Sequence, residues 1–246
     1  MRRIAPVIFI IILLIIWEIV ARSIDMQFIL PTPTGIVNKI WELKDVLLLE
    51  HLPATMLVVF IGLMISIVLG ILLAILMTVS QMIEQALYPV LVATQTIPII
   101  AIAPVFVLWF GYTIWSRVLV TVLITFFPIV ISSFDGIRAT SRELTELMHT
   151  MGANRRDIFF KLQVPASLPS FFSGLKVAVP MAVIGAAIGE WLGAQEGLGY
   201  FSRRMMTQFD GAGVFAPIIV LSLAGLLLFA IVLVLESYIL KWRKYE

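Results

Sequence analysis

The sequence contains no cysteine and only two histidines, His51 and His149. Disulfide bridges and thiolate metal sites are therefore excluded, because both need cysteine. Two histidines far apart in a chain are more typical of loops than of metal ligands. Charged residues are also scarce, at 13% of 246 residues, against about 25% in soluble domains. So few charges cannot cover a water-facing surface, and the sequence predicts a protein covered largely by lipid.

Further absences narrow the function. The net charge is only +2, and no long basic face exists, so we expect no nucleic-acid partner. No nucleophile–base set and no metal-ligand cluster can be found, which makes an enzyme the least favoured class. The phosphate-binding pattern G-x-x-x-x-G-K-[ST] is also missing. We therefore expect no cofactor or nucleotide on this chain.

Six apolar stretches are long enough to cross a bilayer core, which needs roughly 20 residues per helix. The sequence predicts an all-α, polytopic membrane protein of about six transmembrane helices. The first stretch exceeds a signal-peptide core and no small-x-small cleavage site follows, so we interpret it as a retained helix. The predicted spans are Ile4–Val20, Leu52–Val79, Leu87–Phe110, Val118–Phe134, Phe171–Leu192 and Val214–Leu240.

The distribution of Lys and Arg predicts the orientation, because these residues concentrate in cytoplasmic loops. An inside N-terminus places ten of them in the cytoplasm and six outside, so both termini are predicted to be cytoplasmic. The inside set is Arg2, Arg3, Arg138, Arg142, Arg155, Arg156, Lys161, Lys241, Arg243 and Lys244. The outside set is Arg22, Lys39, Lys44, Arg117, Arg203 and Arg204.

Two segments depart from a plain apolar span. The linker Ala21–His51 is too polar to cross, and after Pro31–Thr34 its apolar residues favour a short amphipathic helix on the outer membrane surface. The third span contains Pro89, Pro98 and Pro104. A bilayer tolerates such interruptions only where protein or a water-lined cavity covers the freed backbone. We therefore expect this helix to face the protein interior and line a translocation path with Gln95, Thr96 and Pro98; a kink needed only for packing is the equal alternative.

Charged residues within spans are candidate functional groups. Glu190, near the outer end of the fifth span, is predicted either to line the path or to lie at the headgroup level. Lys176 is predicted to snorkel towards the interface, and Glu18 has no identifiable partner in the sequence. Gly197-Leu198-Gly199 predicts a tight turn after the fifth span.

The predicted cytoplasmic loop 135–170 carries the strongest functional pattern. Leu144, Leu147, Met148 and Met151 fall on one face of a helix, which Gly152 is expected to end. Asn154 is a suitable N-cap for a second helix, with Asp157 in its first turn. Pro165 and Pro169 are expected to stop that helix. The apolar face has no partner within the loop, so it favours docking on another protein; packing of the loop on itself is the alternative.

The loop resembles the EAA loop of type I ABC importer permeases, whose pattern is Glu-Ala-Ala, three residues, Gly, nine residues and Ile-x-Leu-Pro. Glu146, Gly152 and Pro165 match it, with Leu147 and Met148 in place of the alanines and Leu162 and Val164 as conservative changes. IPIIAIAPVFVLWFG from Ile97 and GEWLGAQEGLGY from Gly189 are similar to the sulfonate, taurine and nitrate branch. A related branch handles pyrimidine precursors of thiamine and similar vitamins.

This resemblance implies a MetI-like permease fold over residues 52–240, preceded by an N-terminal helix and outer linker at 1–51. It implies a cell (inner) membrane protein with a second copy of itself, two ABC ATPase subunits and an extracytoplasmic binding protein as partners. ATP and Mg²⁺ belong to the ATPase. The coupling residues implied are Glu146, Met151, Gly152, Ala153, Arg155, Arg156 and Pro165.

Other transporter classes remain as alternatives. An ion-coupled transporter usually has internal repeats and central acidic residues, neither of which is evident here. A channel or a scaffold would leave the docking loop unexplained. The substrate stays open among small sulfonates, nitrate-like anions and pyrimidine-type vitamin precursors.

Overall fold

The computed structural model describes residues 5–24 and 26–242, and every regular element in these ranges is helical. Arg2, Arg3, Arg243 and Lys244, which contribute to the predicted orientation, lie outside the described residues. Two π-helical turns, Val46–His51 and Phe159–Gln163, lead into α3 and α9. The helices are α1 (Ala5–Ile24), α2 (Pro33–Glu42), α3 (Leu52–Val79), α4 (Gln81–Thr94), α5 (Ile99–Phe110), α6 (Ile114–Arg138), α7 (Arg142–Thr150), α8 (Arg155–Ile158), α9 (Val164–Gly193), α10 (Leu198–Thr207) and α11 (Gly211–Ile239).

Five helical stretches in the described ranges are long and apolar enough to cross a membrane, and a sixth is the bent pair α4–α5. The expectation of about six spans is confirmed on that count. The second span has the same bounds in the sequence prediction and in the structure, Leu52–Val79. The short helix expected in the outer linker is α2, whose first turn is capped by the Thr32 hydroxyl at 3.0 Å from the Gly35 nitrogen.

The third span is broken. We expected one kinked helix over Leu87–Phe110, but α4 and α5 are separate and meet at 99°. The physical reason is Pro98, which cannot donate a backbone hydrogen bond and disfavours helical backbone at Ile97. Pro98 itself is extended, with φ −65° and ψ 113°. Pro89 and Pro104 lie inside α4 and α5 without ending them.

The core is a three-helix layer in which α6 packs between α3 and α9. Small residues permit this close approach, as is usual between membrane helices. A Cβ added to Gly62 of α3 or Gly185 of α9 would overlap Thr121 of α6. Ser66 and Thr125 also share a buried hydrogen bond of 2.6 Å between α3 and α6.

The fifth span is longer than expected because its prolines do not interrupt it. Pro165 and Pro169 were expected to stop the second loop helix, but one helical stretch runs from Arg155 to Gly193. Pro165 lies in the first turn of α9, directly after the π-helical turn Phe159–Gln163. The π-helical turn shifts the register of the backbone hydrogen bonds. The N–H that Pro165 lacks therefore falls where the helical hydrogen bonds are already rearranged.

Two charges in the spans have partners that the sequence did not reveal. Glu18 of α1 accepts hydrogen bonds from the Thr34 nitrogen at 3.1 Å and the Thr34 hydroxyl at 2.8 Å, which attaches α1 to α2. Lys176 does not snorkel: its Nζ lies 2.9 Å from both carboxylate oxygens of Glu236 on α11. Pairing replaces hydration for charges held against apolar helices.

Candidate functional site

Helices α7 and α8 form a hairpin at the end of the bundle where α3 and α6 terminate. The first helix of the hairpin is capped by a residue next to it in the sequence. The Ser141 hydroxyl accepts a hydrogen bond from the Leu144 nitrogen at 3.2 Å and so caps α7. The expected glycine end is also present. Gly152 has φ +84°, the Ala153 nitrogen donates to the Met148 carbonyl, and the Gly152 nitrogen donates to the His149 carbonyl, each at 2.9 Å. These two bonds form a Schellman motif.

The second helix of the hairpin starts with the cap that the sequence predicts. The Asn154 Oδ1 accepts from the backbone nitrogens of Arg156 and Asp157, both at 2.9 Å. The Asp157 carboxylate accepts in return from the Asn154 nitrogen at 3.4 Å, which completes a capping box. Lys161 pairs with Asp157 at 2.6 Å. The turn between α7 and α8 is therefore held by local hydrogen bonds.

The apolar face of α7 is open. Leu144, Leu147 and Met151 are 49%, 55% and 78% exposed, and the described part of the chain buries no residue of α7. Glu146 pairs with Arg142 one turn earlier on α7, with 3.0 Å between Nε and Oε1. An apolar face without a partner in its own chain has the character of a docking surface.

Behind this face lies a basic cavity of about 390 Å³ between the hairpin and the end of α3. Arg155 and Arg156 contribute to its wall and are both exposed to solvent. The cavity is lined by Thr78, Val79, Thr145, His149, Arg155, Arg156, Ile158, Phe159, Phe160 and Gln163. Of the sequence-predicted coupling residues, Glu146 lies in the middle of α7 and Pro165 at the start of α9, and the other five lie at the turn between α7 and α8.

The break between α4 and α5 lies on an open side of the chain. Gln95, Thr96 and Pro98 are all exposed, and each of these two helices buries a single residue, Leu91 in α4 and Ala103 in α5. Within the described residues of one chain this span does not face the interior, and its place in a translocation path stays a prediction. A neighbouring cavity of about 290 Å³ is lined by Ile100, Ile184, Ala187, Ile188, Trp191, Leu192 and Leu221.

Glu190 does not share this open face. Its side chain is 0% exposed, and its Oε2 accepts from the Gly199 nitrogen at 2.8 Å. His51, expected in a loop, is buried in the π-helical turn and accepts from the Gly197 nitrogen at 3.1 Å. No spacing pattern in the sequence pointed to these contacts, because their partners are 9 and 146 residues apart.

The same end of the bundle holds a second charge contact between distant elements. Lys39 of α2 lies 3.1 Å from the Asp210 carboxylate at the start of α11. The hydrogen bond to Asp210 raises the pKa of Lys39. Helices α2 and α10 both pack on α11 and form one platform opposite the hairpin, with Leu47, Phe201 and Val220 in its buried core.

Six apolar spans, one of them broken, and a capped hairpin with an exposed apolar face are features of the membrane subunit of a transporter. Comparison with known proteins makes this specific. The family described as the binding-protein-dependent transport system inner membrane component matches residues 66–241. The chain belongs to this family and is the permease subunit of an ATP-driven ABC importer.

Several relatives are similar over nearly the whole chain. The formylaminopyrimidine transport permease protein ThiX of Halalkalibacterium halodurans is 58% identical over 245 residues, covering 100% of this chain and 98% of that protein. The riboflavin transport system permease protein RibX of Chloroflexus aurantiacus is 40% identical, covering 94% and 87%. The putative aliphatic sulfonates transport permease protein SsuC of Bacillus subtilis is 32% identical, covering 96% and 86%.

A solved structure has the same fold. An inward-facing form of the MetNI methionine ABC transporter matches with a TM-score of 0.61 at 17% identity, covering 85% of this chain and 98% of the matched chain. The expected MetI-like permease fold is thereby confirmed.

Proposed function

We propose that two copies of this chain form a path for a formylaminopyrimidine-type vitamin precursor, which a separate ATPase bound at the hairpin drives inward. The main support for this substrate is the 58% sequence identity to a formylaminopyrimidine permease over the full chain, compared with 32% to an aliphatic sulfonate permease. An extracytoplasmic binding protein delivers the solute. ATP and Mg²⁺ are held by the ATPase.

The hairpin supports the coupling role. Leu144, Leu147 and Met151 form an apolar ridge that projects from the bundle, and an apolar groove on a partner buries such a ridge well. Gly152 and Ala153 hold the turn, and Glu146 keeps Arg142 on the flank of α7. Arg155 and Arg156 supply charge for polar contacts beside the ridge, and Pro165 marks where the hairpin becomes α9.

The broken span supports the path. Helix α4 has 14 residues, which is about 21 Å of rise, so the break lies at bilayer depth if α4 starts at the cytoplasmic surface. Lipid cannot satisfy the freed carbonyls of Gln95, Thr96 and Ile97, whereas a water-lined path can. A second copy across this open side would enclose them. We therefore keep Gln95, Thr96 and Pro98 in the path and give Glu190 another role below.

The chemistry around the break suits a heteroaromatic solute. Residues 94–101 carry no charge, whereas a sulfonate or nitrate path would need cationic groups or several donors for the anion. Gln95 and Thr96 offer uncharged donors and acceptors, and Trp191 lines the adjacent cavity. An aromatic ring stacks on such a surface while its nitrogens hydrogen-bond to the amide.

The proposed orientation places the hairpin and both termini in the cytoplasm and the platform of α2, α10 and α11 outside. In this orientation the ATPase meets α7 and the binding protein meets the platform. The excess of Lys and Arg on the hairpin side supports it.

The coupling role is tested with Leu147→Asp in the purified permease–ATPase complex. A buried carboxylate without a partner disfavours association by about tenfold or more, and we expect at least that loss in ATPase affinity with normal membrane insertion. His149→Gln, on the same helix but on the face opposite the ridge, is the matched control. Parental affinity and transport in Leu147→Asp would refute docking through this face.

The substrate is tested by uptake into proteoliposomes that contain the complete importer. We expect ATP-dependent uptake of a labelled formylaminopyrimidine, inhibited by the unlabelled compound and unaffected by taurine or nitrate. Uptake of a sulfonate or nitrate instead would overturn the substrate class. Uptake driven by an ion gradient without ATPase would overturn the coupling itself.

A further inference from the structure

The N-terminus of α10 is capped by side chains from two other parts of the chain. Its first three backbone donors are each satisfied: Gly197 by His51 Nδ1 at 3.1 Å, Leu198 by the Thr55 hydroxyl at 2.9 Å, and Gly199 by Glu190 Oε2 at 2.8 Å. A helix normally takes such caps from its own flanking residues. Here the caps connect α10 to α3 and to α9, and we call these three residues the triple cap.

The triple cap is closely packed. Glu190 and Thr55 are 0% exposed and His51 is buried. A Cβ on Gly197 would overlap the Glu190 carboxyl group, and a Cβ on Gly199 would overlap the Ala187 carbonyl oxygen. The His51 ring also contacts the Phe201 ring, with 4.9 Å between centroids. This contact leaves α10 little freedom to move relative to the end of α9.

At its N-terminal end, α9 is continuous with the second helix of the hairpin. One helical stretch of 39 residues runs from Arg155 to Gly193, about 58 Å at 1.5 Å per residue. Glu190 lies one turn before its end. On the other side, α10 is bonded to α11, where the Ser202 hydroxyl donates to the Val214 carbonyl at 3.2 Å. A continuous chain of contacts therefore connects the hairpin to α3, α10 and α11 at the far end.

We propose that the triple cap is a positioning device that makes α10 and the start of α3 follow the end of α9, so that hairpin movement reaches the far face of the importer. This inference rests on the proposed coupling function. Glu190 acts through its hydrogen bond to α10, not through contact with the solute. Rigid elements joined at both ends transmit displacement without a further moving part.

The test uses Thr55→Val, which keeps the side-chain shape and removes the acceptor for the Leu198 nitrogen, with Thr55→Ser as the matched control. A buried donor left without a partner shifts a local equilibrium by about tenfold. We expect transport per ATP hydrolysed to fall about tenfold in Thr55→Val and to stay near the parent in Thr55→Ser.

A second readout follows α10 directly. Because the chain has no cysteine, Ser202→Cys introduces a single thiol at a buried position of α10, and Thr207→Cys provides an exposed one. In complexes in nanodiscs, adding Thr55→Val should raise maleimide labelling at position 202 about tenfold and leave position 207 unchanged. Parental labelling together with parental coupling would overturn the proposal.

Glu190 variants separate positioning from direct contact with solute or ions. Glu190→Gln keeps an oxygen that accepts from the Gly199 nitrogen, whereas Glu190→Leu does not. We expect Gln to retain most coupling and Leu to lose it. Equal loss of coupling in both variants, with position 202 still protected from maleimide labelling, would show that the charge of Glu190 and not its hydrogen bond to α10 matters. Absence of ATP-dependent uptake in the parent would instead refute the proposed function, while the labelling comparison would still test the cap.

Discussion

The end of α7 in the hairpin and the start of α10 each carry a glycine at positive φ, Gly152 and Gly197. The two helix termini are nevertheless capped in opposite ways. At the hairpin every cap comes from within a few residues: Ser141 for α7, Gly152 for its end, Asn154 for α8. At α10 the caps come from His51, Thr55 and Glu190 on other elements. The first arrangement keeps its shape while its apolar face stays free, and the second connects separate helices.

The difference suits the two proposed roles, docking at the hairpin and transmission of movement at α10. A surface on which a partner docks needs a conformation that does not depend on packing against the bundle, and local capping of the hairpin helices provides that conformation. A junction that must move with a distant helix needs contacts between helices, and these exist only after the helices pack. Substitutions at the two sites should therefore differ in how far their effects spread.

Gly197→Ala should have the largest effect on folding. Gly197 has φ +107° and ψ 161°, a region open essentially to glycine, and the new methyl would also meet the Glu190 carboxyl group. Together these effects should destabilise the permease by about 3–5 kcal/mol. Thermal unfolding of the purified protein measures this. Gly152→Ala is the matched control, because Gly152 has no atom within 4 Å of an added Cβ; an equal loss in both variants would contradict the contrast.

Gly152→Val should have a smaller effect, confined to the hairpin. A β-branched residue disfavours φ +84° by about 2 kcal/mol, so the Schellman turn opens and α7 loses its set angle. We expect weaker ATPase binding with little change in thermal stability of the bundle. Gly152→Asn, which tolerates positive φ, should bind nearly as the parent does. Strong binding by the valine variant would show that the turn does not position the docking face.

Ser141→Ala should have the smallest effect. It removes the 3.2 Å cap on the Leu144 nitrogen, which stabilises a helix by about 1 kcal/mol. We expect faster backbone hydrogen exchange in the first turn of α7 and no change at α10. Exchange at α10 that rises equally would indicate that the two ends are not independently capped.

Sequence reasoning succeeded where signals are local. The bounds of α3, the glycine end of α7 and the Asn154 cap were available from periodicity and spacing, and the family from the resemblance of the loop and of the segments beginning at Ile97 and Gly189. It failed where the outcome depended on distant partners. Lys176 pairs with Glu236, Glu18 caps α2, and His51 is buried, because in each case the other group lies far along the chain. The roles of the coupling and path residues stay predictions for the experiments above.

Proline shows the limit of local rules most directly. Pro98 interrupts the third span and turns it by 99°, whereas Pro165 and Pro169 lie in an uninterrupted helix. The residue is the same, and the preceding backbone differs: a π-helical turn precedes Pro165, and an open turn precedes Pro98. Helix propensity sets the free-energy cost of a proline inside a helix, and tertiary packing decides whether the helix continues past it.

By itself the amino-acid sequence determined that this chain lies in a membrane, crosses it about six times and carries a hairpin with locally capped helices. These features follow from hydropathy over about 20 residues and from capping over about four. Only the tertiary structure decided that the third span breaks, that α8 and α9 form one helix, and that Glu190 faces α10. Those outcomes depend on which helices pack together, and burial satisfies polar groups across any distance along the chain.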